Sequence, residues 1–319
     1  TVALRRTGDE TVFFLNGQRL YLRGVTYFPD LYISAMHPAR YRRDLEAMRQ
    51  AGCNAVRIHV HVEQPAFYDL CDEMGLAVIQ DSDLNWHFPD DEAWERQAVL
   101  VFGDMVRELR NHASIVAWIC LNEPAGWPQG PILSDRFATE LVAEARRLDP
   151  HRPSIRASGA WWDLQSGDEH EYHGSLTGPQ SLYTDIYGRP EKLMTEFGVD
   201  APACLESLRQ VPPHRQRLQQ LAESNGELQH YQYRLLKYQI EYLRIIKYRP
   251  CAGYFQFMFI DLCPQSFYGV CDWWGLPKEG LQALTESGQP LGIFMEHREG
   301  PVALWAVNDL ARAFPGCTA

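Results

Sequence analysis

Residues 115–124 read IVAWICLNEP, an unbroken apolar run that ends in an asparagine, a glutamate and a proline. An apolar run of this length, rich in β-branched residues and bounded by a turn signal, is typical of a strand buried on both faces. A second strand-like run, residues 192–198, reads KLMTEFG and carries a glutamate in its second half. These two runs predict a parallel sheet with a carboxylate near the carboxyl end of each of two strands.

Similar short runs alternate along the whole chain with stretches of helical periodicity, the order expected when crossover helices join parallel strands. The sixth run is short and polar and is inferred from its neighbours. The eight candidate strands are residues 21–26, 55–60, 77–81, 115–121, 154–158, 171–173, 192–197 and 253–260. The predicted fold class is therefore α/β, a single (β/α)₈ or TIM barrel.

Start and stop signals place helices between these strands. Pro38 stands at a helix start, where its missing N–H is harmless, and Gly75 follows a helix end. The predicted helices are residues 38–50, 65–74, 92–111 and 135–148, and residues 228–248 form one long helix inside an excursion, 200–250. We expect this excursion to belong to the barrel.

Both ends of the chain carry sequence signals for β strands outside the eight listed above. Asn16-Gly17 separates two short apolar runs and predicts a tight hairpin that closes one end of the barrel. We place the barrel in residues 1–300. Residues 301–319 form a tail whose run 302–307 predicts the first strand of a following β domain. The natural polypeptide is then expected to be longer.

Composition limits the partners. The net charge of -11 over 319 residues opposes binding to nucleic acid, and no run is apolar and long enough to cross a membrane. The eight cysteines show no zinc-ligand spacing, and thiols in apolar runs favour a reducing, cytoplasmic compartment. No cofactor or metal is predicted, and the sequence indicates no oligomeric state.

The two glutamates at strand ends, Glu123 and Glu196, suit hydrolysis of a glycosidic bond. A reaction with retention needs two carboxyl groups about 5 Å apart, one to protonate the leaving oxygen and one to attack the anomeric carbon. Strands four and seven stand on opposite sides of a barrel mouth, so both side chains are expected in one cleft. The alternative for either residue alone is an exposed or paired carboxylate in a loop.

Further motifs strengthen this interpretation. They include the runs LRGV at 22–25, NAVR at 54–57, FYDLCDEMGL at 67–76 and RNHASI at 110–115. Together with Asn122-Glu123 they make the chain resemble the catalytic barrel of glycoside hydrolase family 2. The run DLCPQSF at 261–267 and DWWGLPK at 272–278 are similar to the β-mannosidase and exo-β-glucosaminidase branch. The chain departs from that branch where Phe255 or Phe257 and Cys263 replace expected tryptophans.

The resemblance implies roles for individual residues. Glu196 is the expected nucleophile and Glu123 the acid/base, protonated because its surroundings raise its pKa. Arg57 is expected to hydrogen-bond Glu196, and Asn122 to donate to the sugar 2-hydroxyl, with helix capping as its alternative. In the run HEY at 170–172, Tyr172 is expected to contact the nucleophile and His170 to orient the pocket.

Other polar and aromatic residues near strand ends are candidates for sugar binding. His59 and His61 alternate with two valines, so only one of these two kinds of residue faces the interior if the strand continues. His59 is the candidate for substrate binding, with a histidine bonded within the barrel wall as the alternative. Asp81 is a candidate for hydroxyl recognition, and Trp161 and Trp273 for stacking on a sugar face. Core packing is the alternative for each tryptophan.

The predicted function is a retaining β-glycoside hydrolase, exo-acting on β-mannosides or related β-glycosides, with a β-linked carbohydrate as its partner. An endo-acting β-glycanase resembling a mannanase or cellulase is the alternative within hydrolases. A non-catalytic carbohydrate-binding barrel is the alternative outside them.

Overall fold

The computed structural model describes residues 1–124, 135–160, 168–176, 181–212, 218–264, 267–297, 300–310 and 312–316. The chain begins with a three-stranded antiparallel sheet of β1 (Val2–Thr7), β2 (Glu10–Leu15) and β3 (Gln18–Leu20). Asn16 and Gly17 join β2 to β3 with φ angles of 51° and 81°. Both angles are left-handed, as the tight hairpin turn predicted from Asn-Gly requires.

Eight parallel strands follow and confirm the predicted fold class. They are β4 (Leu22–Tyr27), β5 (Ala55–Ile58), β6 (Ala77–Asp81), β7 (Ile115–Ile119), β8 (Ser154–Ile155), β9 (Glu169–Glu171), β10 (Met194–Phe197) and β11 (Gly253–Gln256). Their hydrogen-bonded order is β8-β7-β6-β5-β4-β11-β10-β9. The first and last strands of that order approach each other where Ser158 Oγ lies 2.8 Å from His170 Nε2.

Crossover helices connect the strands. The α-helices of the described chain are α1 (Pro38–Gln50), α2 (Pro65–Met74), α3 (Glu92–Leu109), α4 (Asp135–Leu148), α5 (Leu205–Leu208), α6 (Leu218–Ile245) and α7 (Glu279–Gly288). Asp91 caps α3 by accepting hydrogen bonds from the N–H groups of Ala93 and Trp94, which lack partners within the helix. Gly75 ends α2 in the left-handed conformation, as expected of a glycine after a helix.

The core has two layers. The larger cluster lies between strands and helices, with Trp118, Tyr41 and Leu243 among its fully buried members. A smaller cluster includes Leu22, Ile79 and Phe255 from barrel strands and also Phe13 from β2. The hairpin therefore packs Phe13 against the inward-facing residues of the barrel, in agreement with the expectation that it closes one end.

Several predicted bounds differ from the structure, and two of these differences have a clear physical reason. β9 lies two residues earlier than the predicted 171–173, because its ladder with β10 pairs His170 with Glu196 and Glu171 with Phe197. A polar strand has no apolar period to reveal that register. Helix α6 begins ten residues before the predicted 228 and ends before Tyr248, whose φ of 67° is incompatible with a continuing helix.

The predicted strand 302–307 is part of β13 (Pro301–Asn308), which pairs antiparallel with β12 (Leu291–His297). The boundary drawn at residue 300 therefore falls between two paired strands. Asp309, directly after β13, is held by Arg23 at 2.8 Å, Arg244 at 2.7 Å and Lys247 at 2.8 Å. These three ion pairs attach the end of β13 to β4 and to the end of α6.

Seven cysteines in the described ranges are free thiols, and Cys317 lies outside those ranges. Within the described ranges, no helix combines the length and the apolar character that a membrane span requires.

A group of carboxylates near β9 predicts a pH-dependent stability. Burial raises the pKa of Glu191 to about 8, with further upward contributions from the charges of Glu169 and Glu171, while Arg189 opposes the shift. The folded chain then binds more protons than the unfolded chain above the ordinary glutamate pKa, so stability falls as pH rises towards about 8.

We expect Glu191→Gln to flatten the fall in melting temperature between acidic and mildly alkaline pH, because it removes roughly a few kcal/mol of this linkage. Thermal unfolding followed by circular dichroism at several pH values measures the effect. The exposed Glu108→Gln is the matched control. An equally steep pH dependence in Glu191→Gln and wild type would contradict the expectation.

Candidate active site

The two strand-end glutamates share one cleft. Glu196 lies in β10 and is 3% exposed, whereas Glu123 follows β7 with a side chain 33% exposed. The backbone N–H of Glu123 donates to the Ser158 carbonyl oxygen at 2.8 Å, and its φ is 43°. Carboxylate oxygens of Glu123 and Glu196 lie within 4.8 Å of each other. Retaining glycosidases separate their two carboxyl groups by about 5 Å, against about 6.5–9.5 Å in inverting enzymes.

Glu196 is surrounded by hydrogen-bond donors. Arg57 Nη1 donates to Glu196 Oε1 at 2.6 Å, and the Tyr172 hydroxyl donates to Oε2 at 2.7 Å. His59 Nδ1 lies 3.4 Å from Oε1. A carboxylate held on both oxygens by charged and hydroxyl donors has a fixed orientation towards the cleft. The predicted contacts of Arg57 and Tyr172 with this residue are thus present in the geometry, and their roles in a reaction stay predictions.

Arg57 links three other residues of the site, namely Glu196, Asp81 and Asn122. It is fully buried and donates to both oxygens of Asp81, at 3.1 and 2.7 Å, and to Asn122 Oδ1 at 2.7 Å. Burial alone lowers the pKa of Arg57, but the charges of Asp81 and Glu196 outweigh it and raise the pKa above its usual range. The guanidinium therefore stays charged and orients three strand ends at once.

Asp81 faces Arg57. Both of its oxygens accept from the guanidinium and the residue is fully buried, so it supports Arg57, and its predicted contact with a sugar hydroxyl stays a prediction. Asn122 donates through Nδ2 to Asn85 Oδ1 at 2.9 Å. An amide carries two N–H donors, and the donation of Asn122 to the sugar 2-hydroxyl stays a prediction.

The environment of Glu123 corrects the expectation about its pKa. Burial raises the pKa, but hydrogen bonds from His170 Nδ1 at 2.7 Å and Trp86 Nε1 at 2.8 Å outweigh burial and lower it to about 2. Burial also lowers the pKa of His170, yet Glu196 and Glu123 together raise it. In the substrate-free chain the proton is therefore on His170, and Glu123 is ionised.

Aromatic side chains form one wall of the cleft. The ring of Phe257 makes edge-to-face contacts with His59 at 5.2 Å, Tyr268 at 5.7 Å and Tyr172 at 6.4 Å between centroids. Phe255 points into the barrel core instead. Phe257 is thus the residue that stands beside the site where the resemblance leads one to expect a tryptophan.

The other predicted sugar contacts are not tested by this geometry. Trp273 packs edge to face on Trp274, with ring centroids 5.3 Å apart, and its contact with a sugar stays a prediction. Trp161 lies outside the described residues. Between the two candidate histidines, His59 lies beside Glu196, whereas His61 Nε2 lies 2.9 Å from Glu63 Oε1 in the wall.

Sequence reasoning missed Trp86 as a partner of Glu123, and it missed Asp168, Ser158 and Thr195 altogether. Trp86 has a φ of 61°, a left-handed conformation rare for a bulky residue, as has Glu123 itself. Such strain concentrates at functional sites. Trp86, an aromatic residue in the loop after β6, was a signal that the sequence offered. Asp168, Ser158 and Thr195 are buried polar residues from separate parts of the chain, and no sequence pattern indicated them.

Glu123, His170 and Glu196 offer ligand atoms close enough together for a metal ion. Arg57 already supplies a positive charge to Glu196, and His170 supplies one to Glu123. The acid/base chemistry that two carboxylates perform needs no metal, and we assign none.

Replacement of Arg57 by methionine is expected to lower the free energy of unfolding by about 3–5 kcal/mol, because Asp81 and Glu196 would remain buried without their cation. Urea denaturation measures the loss. Arg57→Lys keeps the charge but not the planar fork, so an intermediate value is expected. Adding Asp81→Asn to the methionine variant is expected to recover part of the stability. Wild-type stability in Arg57→Met would contradict this account.

Comparisons with known proteins agree with this geometry. Residues 7–165 match the family model described as Glycosyl hydrolases family 2, TIM barrel domain. A putative beta-glucuronidase of Formosa agariphila is 30% identical over 211 residues, covering 60% of this chain and 25% of that protein. A beta-galactosidase of Vibrio cholerae serotype O1 is 37% identical over 169 residues, covering 44% of this chain and 16% of that protein.

Among solved structures, the chain is similar to the crystal structure of a beta-D-mannosidase from Dictyoglomus thermophilum. The TM-score is 0.84 at 22% identity, over 97% of this chain and 44% of that one. The chain spans a quarter or less of the length of the two curated relatives.

Proposed function

Because this chain belongs to glycosyl hydrolase family 2 through its TIM barrel domain, we propose that it hydrolyses β-glycosidic bonds with retention of configuration, with Glu196 as nucleophile and Glu123 as acid/base. The separation of at most 4.8 Å between their carboxylate oxygens carries this proposal. One oxygen of each carboxylate defines this bound, which is close to the separation of about 5 Å in retaining enzymes and shorter than the roughly 6.5–9.5 Å that admits a water in inverting enzymes.

In the first step, a Glu196 oxygen attacks the anomeric carbon while the bond to the leaving oxygen breaks. Glu123 supplies a proton to that oxygen, having taken it from His170 Nδ1 at 2.7 Å. The product is a glycosyl ester of Glu196. In the second step, Glu123 removes a proton from water, which attacks the same carbon and releases Glu196. Two inversions give net retention.

For the substrate, we propose exo-cleavage of β-mannosides first among β-glycosides. The run 261–278 supports this through its similarity to the β-mannosidase branch, and so does the fold similarity to a beta-D-mannosidase. Phe257 contacts His59 beside the nucleophile, at a position where the resemblance to the branch implies a tryptophan. Endo-cleavage of a β-glycan is the second candidate, since chain length alone does not define a closed pocket.

The test is a panel of 4-nitrophenyl β-glycosides, namely mannoside, glucosaminide, galactoside, glucoside and glucuronide, assayed with wild type and Glu196→Ala. We expect release of nitrophenol from the mannoside or a related glycoside by wild type only. Products from a β-linked oligosaccharide then separate the candidates, because an exo-enzyme releases single sugars and an endo-enzyme releases mixed fragments. No hydrolysis of any glycoside or oligosaccharide by wild type would overturn the proposal.

A further inference from the structure

A series of buried hydrogen bonds connects Glu123 to Asp168. His170 Nδ1 lies 2.7 Å from Glu123 Oε1, and its other ring nitrogen, Nε2, lies 2.8 Å from Ser158 Oγ. Ser158 Oγ lies 2.9 Å from Thr195 Oγ1, which donates in turn to Asp168 Oδ1. Side chains from β9, from β10 and from the segment after β8 therefore connect a buried carboxylate to the proposed acid/base.

Asp168 is an unusual residue for its position. It is 1% exposed, and its Oδ2 has no hydrogen-bond partner among the described residues. A buried carboxylate without close ion pairing is costly, and a buried polar group without a partner calls for a functional explanation. The hydroxyl chain supplies one, because it joins this charge to a histidine that can carry the opposite charge.

The number of available hydrogens fixes which atom donates in each of these hydrogen bonds. An ionised Asp168 only accepts, so it commits the single hydroxyl hydrogen of Thr195. Thr195 Oγ1 must then accept from Ser158, whose own hydrogen is thereby used. Ser158 Oγ is left to accept from His170 Nε2, which must carry a hydrogen. The imidazole can then exchange a proton with Glu123 only through Nδ1.

We propose that Asp168, Thr195 and Ser158 are positioning residues that fix the tautomer and orientation of His170, so that the His170–Glu123 pair holds the proton used in the reaction. The inference rests on the role of Glu123 in the proposed function. In the resting pair the proton is on Nδ1. It passes to Glu123 and then to the leaving oxygen, and the water of the second step returns it.

The backbone is shaped to this arrangement. Gly159, next to Ser158, has a φ of 68°, and a Cβ at this position would lie 2.4 Å from His170 Nδ1. Only glycine therefore lets the imidazole lie over this turn. In β9, His170 is paired in register with Glu196 of β10, directly after Thr195. Two members of the hydrogen-bond relay Asp168–Thr195–Ser158–His170, namely Thr195 and His170, are thus held by the same pair of strands as the nucleophile.

Several charged groups face the two ends of the relay. His170 is surrounded by Glu123, Glu196 and Asp168, which favour its charged form, and by Arg57, which disfavours it. Asp168 faces His170 and Arg57, and also Glu169, the next residue in the sequence. Burial raises the pKa of Asp168 to about 6, so the direction derived above holds at neutral pH.

The test compares Thr195→Val, which removes the hydroxyl at constant shape, with Thr195→Ser, which keeps it. Thr26→Val is the matched control, because it removes a buried hydroxyl that contacts the Thr195 carbonyl oxygen at 3.4 Å but is outside the relay. Side-chain ¹⁵N spectra of the histidines report the tautomer and titration of His170, which is identified by its loss in His170→Gln.

Above its midpoint we expect the neutral His170 of wild type to carry its single hydrogen on Nε2. In Thr195→Val and Asp168→Asn the midpoint should fall by about one pH unit, because the imidazolium loses its acceptor. Thr195→Ser and Thr26→Val should titrate as wild type does. In kinetics, Thr195→Val should shift the alkaline limb of kcat/KM to lower pH. Its loss of kcat/KM should reach at least about tenfold for an alkyl glycoside and be small for a dinitrophenyl glycoside, which needs little acid assistance.

Identical His170 titration in wild type, Thr195→Val and Asp168→Asn would overturn the relay even if the enzyme is active, as would a Thr195→Ser variant that behaves like Thr195→Val. Equal losses for good and poor leaving groups would also overturn it, because a merely structural defect acts on both. A wild type that cleaves no glycoside counts against the proposed function, whereas the spectra still decide the state of His170.

Discussion

Glu196→Ala is expected to lower kcat by at least about 10³-fold on every β-glycoside that wild type cleaves, because no other group can form the glycosyl ester. The cavity left by the Glu196 side chain allows a second test, in which azide replaces the missing carboxylate. Azide enters where the carboxylate stood, attacks the anomeric carbon from the α face and displaces the activated aglycone. We therefore expect azide to restore turnover and to yield an α-glycosyl azide, identified by NMR.

The control for this experiment is Glu171→Ala. Glu171 is a β9 carboxylate that His173 Nε2 approaches to 3.0 Å, and it has no assigned role in the reaction. Near-wild-type kcat for Glu196→Ala without azide, or azide rescue that yields the β-anomer, would remove Glu196 from the role of nucleophile.

Glu123→Ala is expected to show the second large effect, and this effect should depend on the leaving group. For an alkyl β-glycoside, kcat/KM should fall by about 10²- to 10⁴-fold, the usual contribution of general acid–base catalysis. For a dinitrophenyl glycoside the first step should remain fast and the glycosyl ester should accumulate. Pre-steady-state release of dinitrophenol measures this burst.

Azide distinguishes the two glutamates. In Glu123→Ala the ester on Glu196 still forms, so azide attacks from the β face and yields a β-glycosyl azide, the opposite anomer to that expected from Glu196→Ala. Glu123→Gln keeps the size of the side chain between Trp86 and His170 and should lose the same activity. Uniform losses across leaving groups would show that Glu123 is not the acid.

Much of the fold was predictable because buried parallel strands leave a strong apolar signal. The run 115–121 marked β7, and the helices Pro38–Gln50, Pro65–Met74 and Asp135–Leu148 begin and end where their sequence signals placed them. The polar strand β9 was placed two residues too late, since its register depends on the pairing of His170 with Glu196. Local pattern carries no information about such a partner.

The positions of the two glutamates could be predicted for the same reason, whereas their electrostatics could not. The expectation of a raised Glu123 pKa considered burial alone. Two donors reverse the shift. Trp86 lies in the loop after β6, and His170 lies in β9. Likewise, Asp81 follows an apolar strand as a sugar-binding carboxylate would, and only the fold shows that Arg57 occupies both of its oxygens.

The most direct test of the central claim is to trap the covalent intermediate. Wild type is incubated with a 2-deoxy-2-fluoro β-glycoside that carries a dinitrophenyl leaving group and the sugar selected by the panel, and the protein is analysed by intact mass and peptide mapping. We predict a mass increase of one fluorosugar per chain, located on the peptide that contains Glu196 and absent from Glu196→Ala. A label on another residue, or hydrolysis that gives an inverted product without any label, would contradict the account.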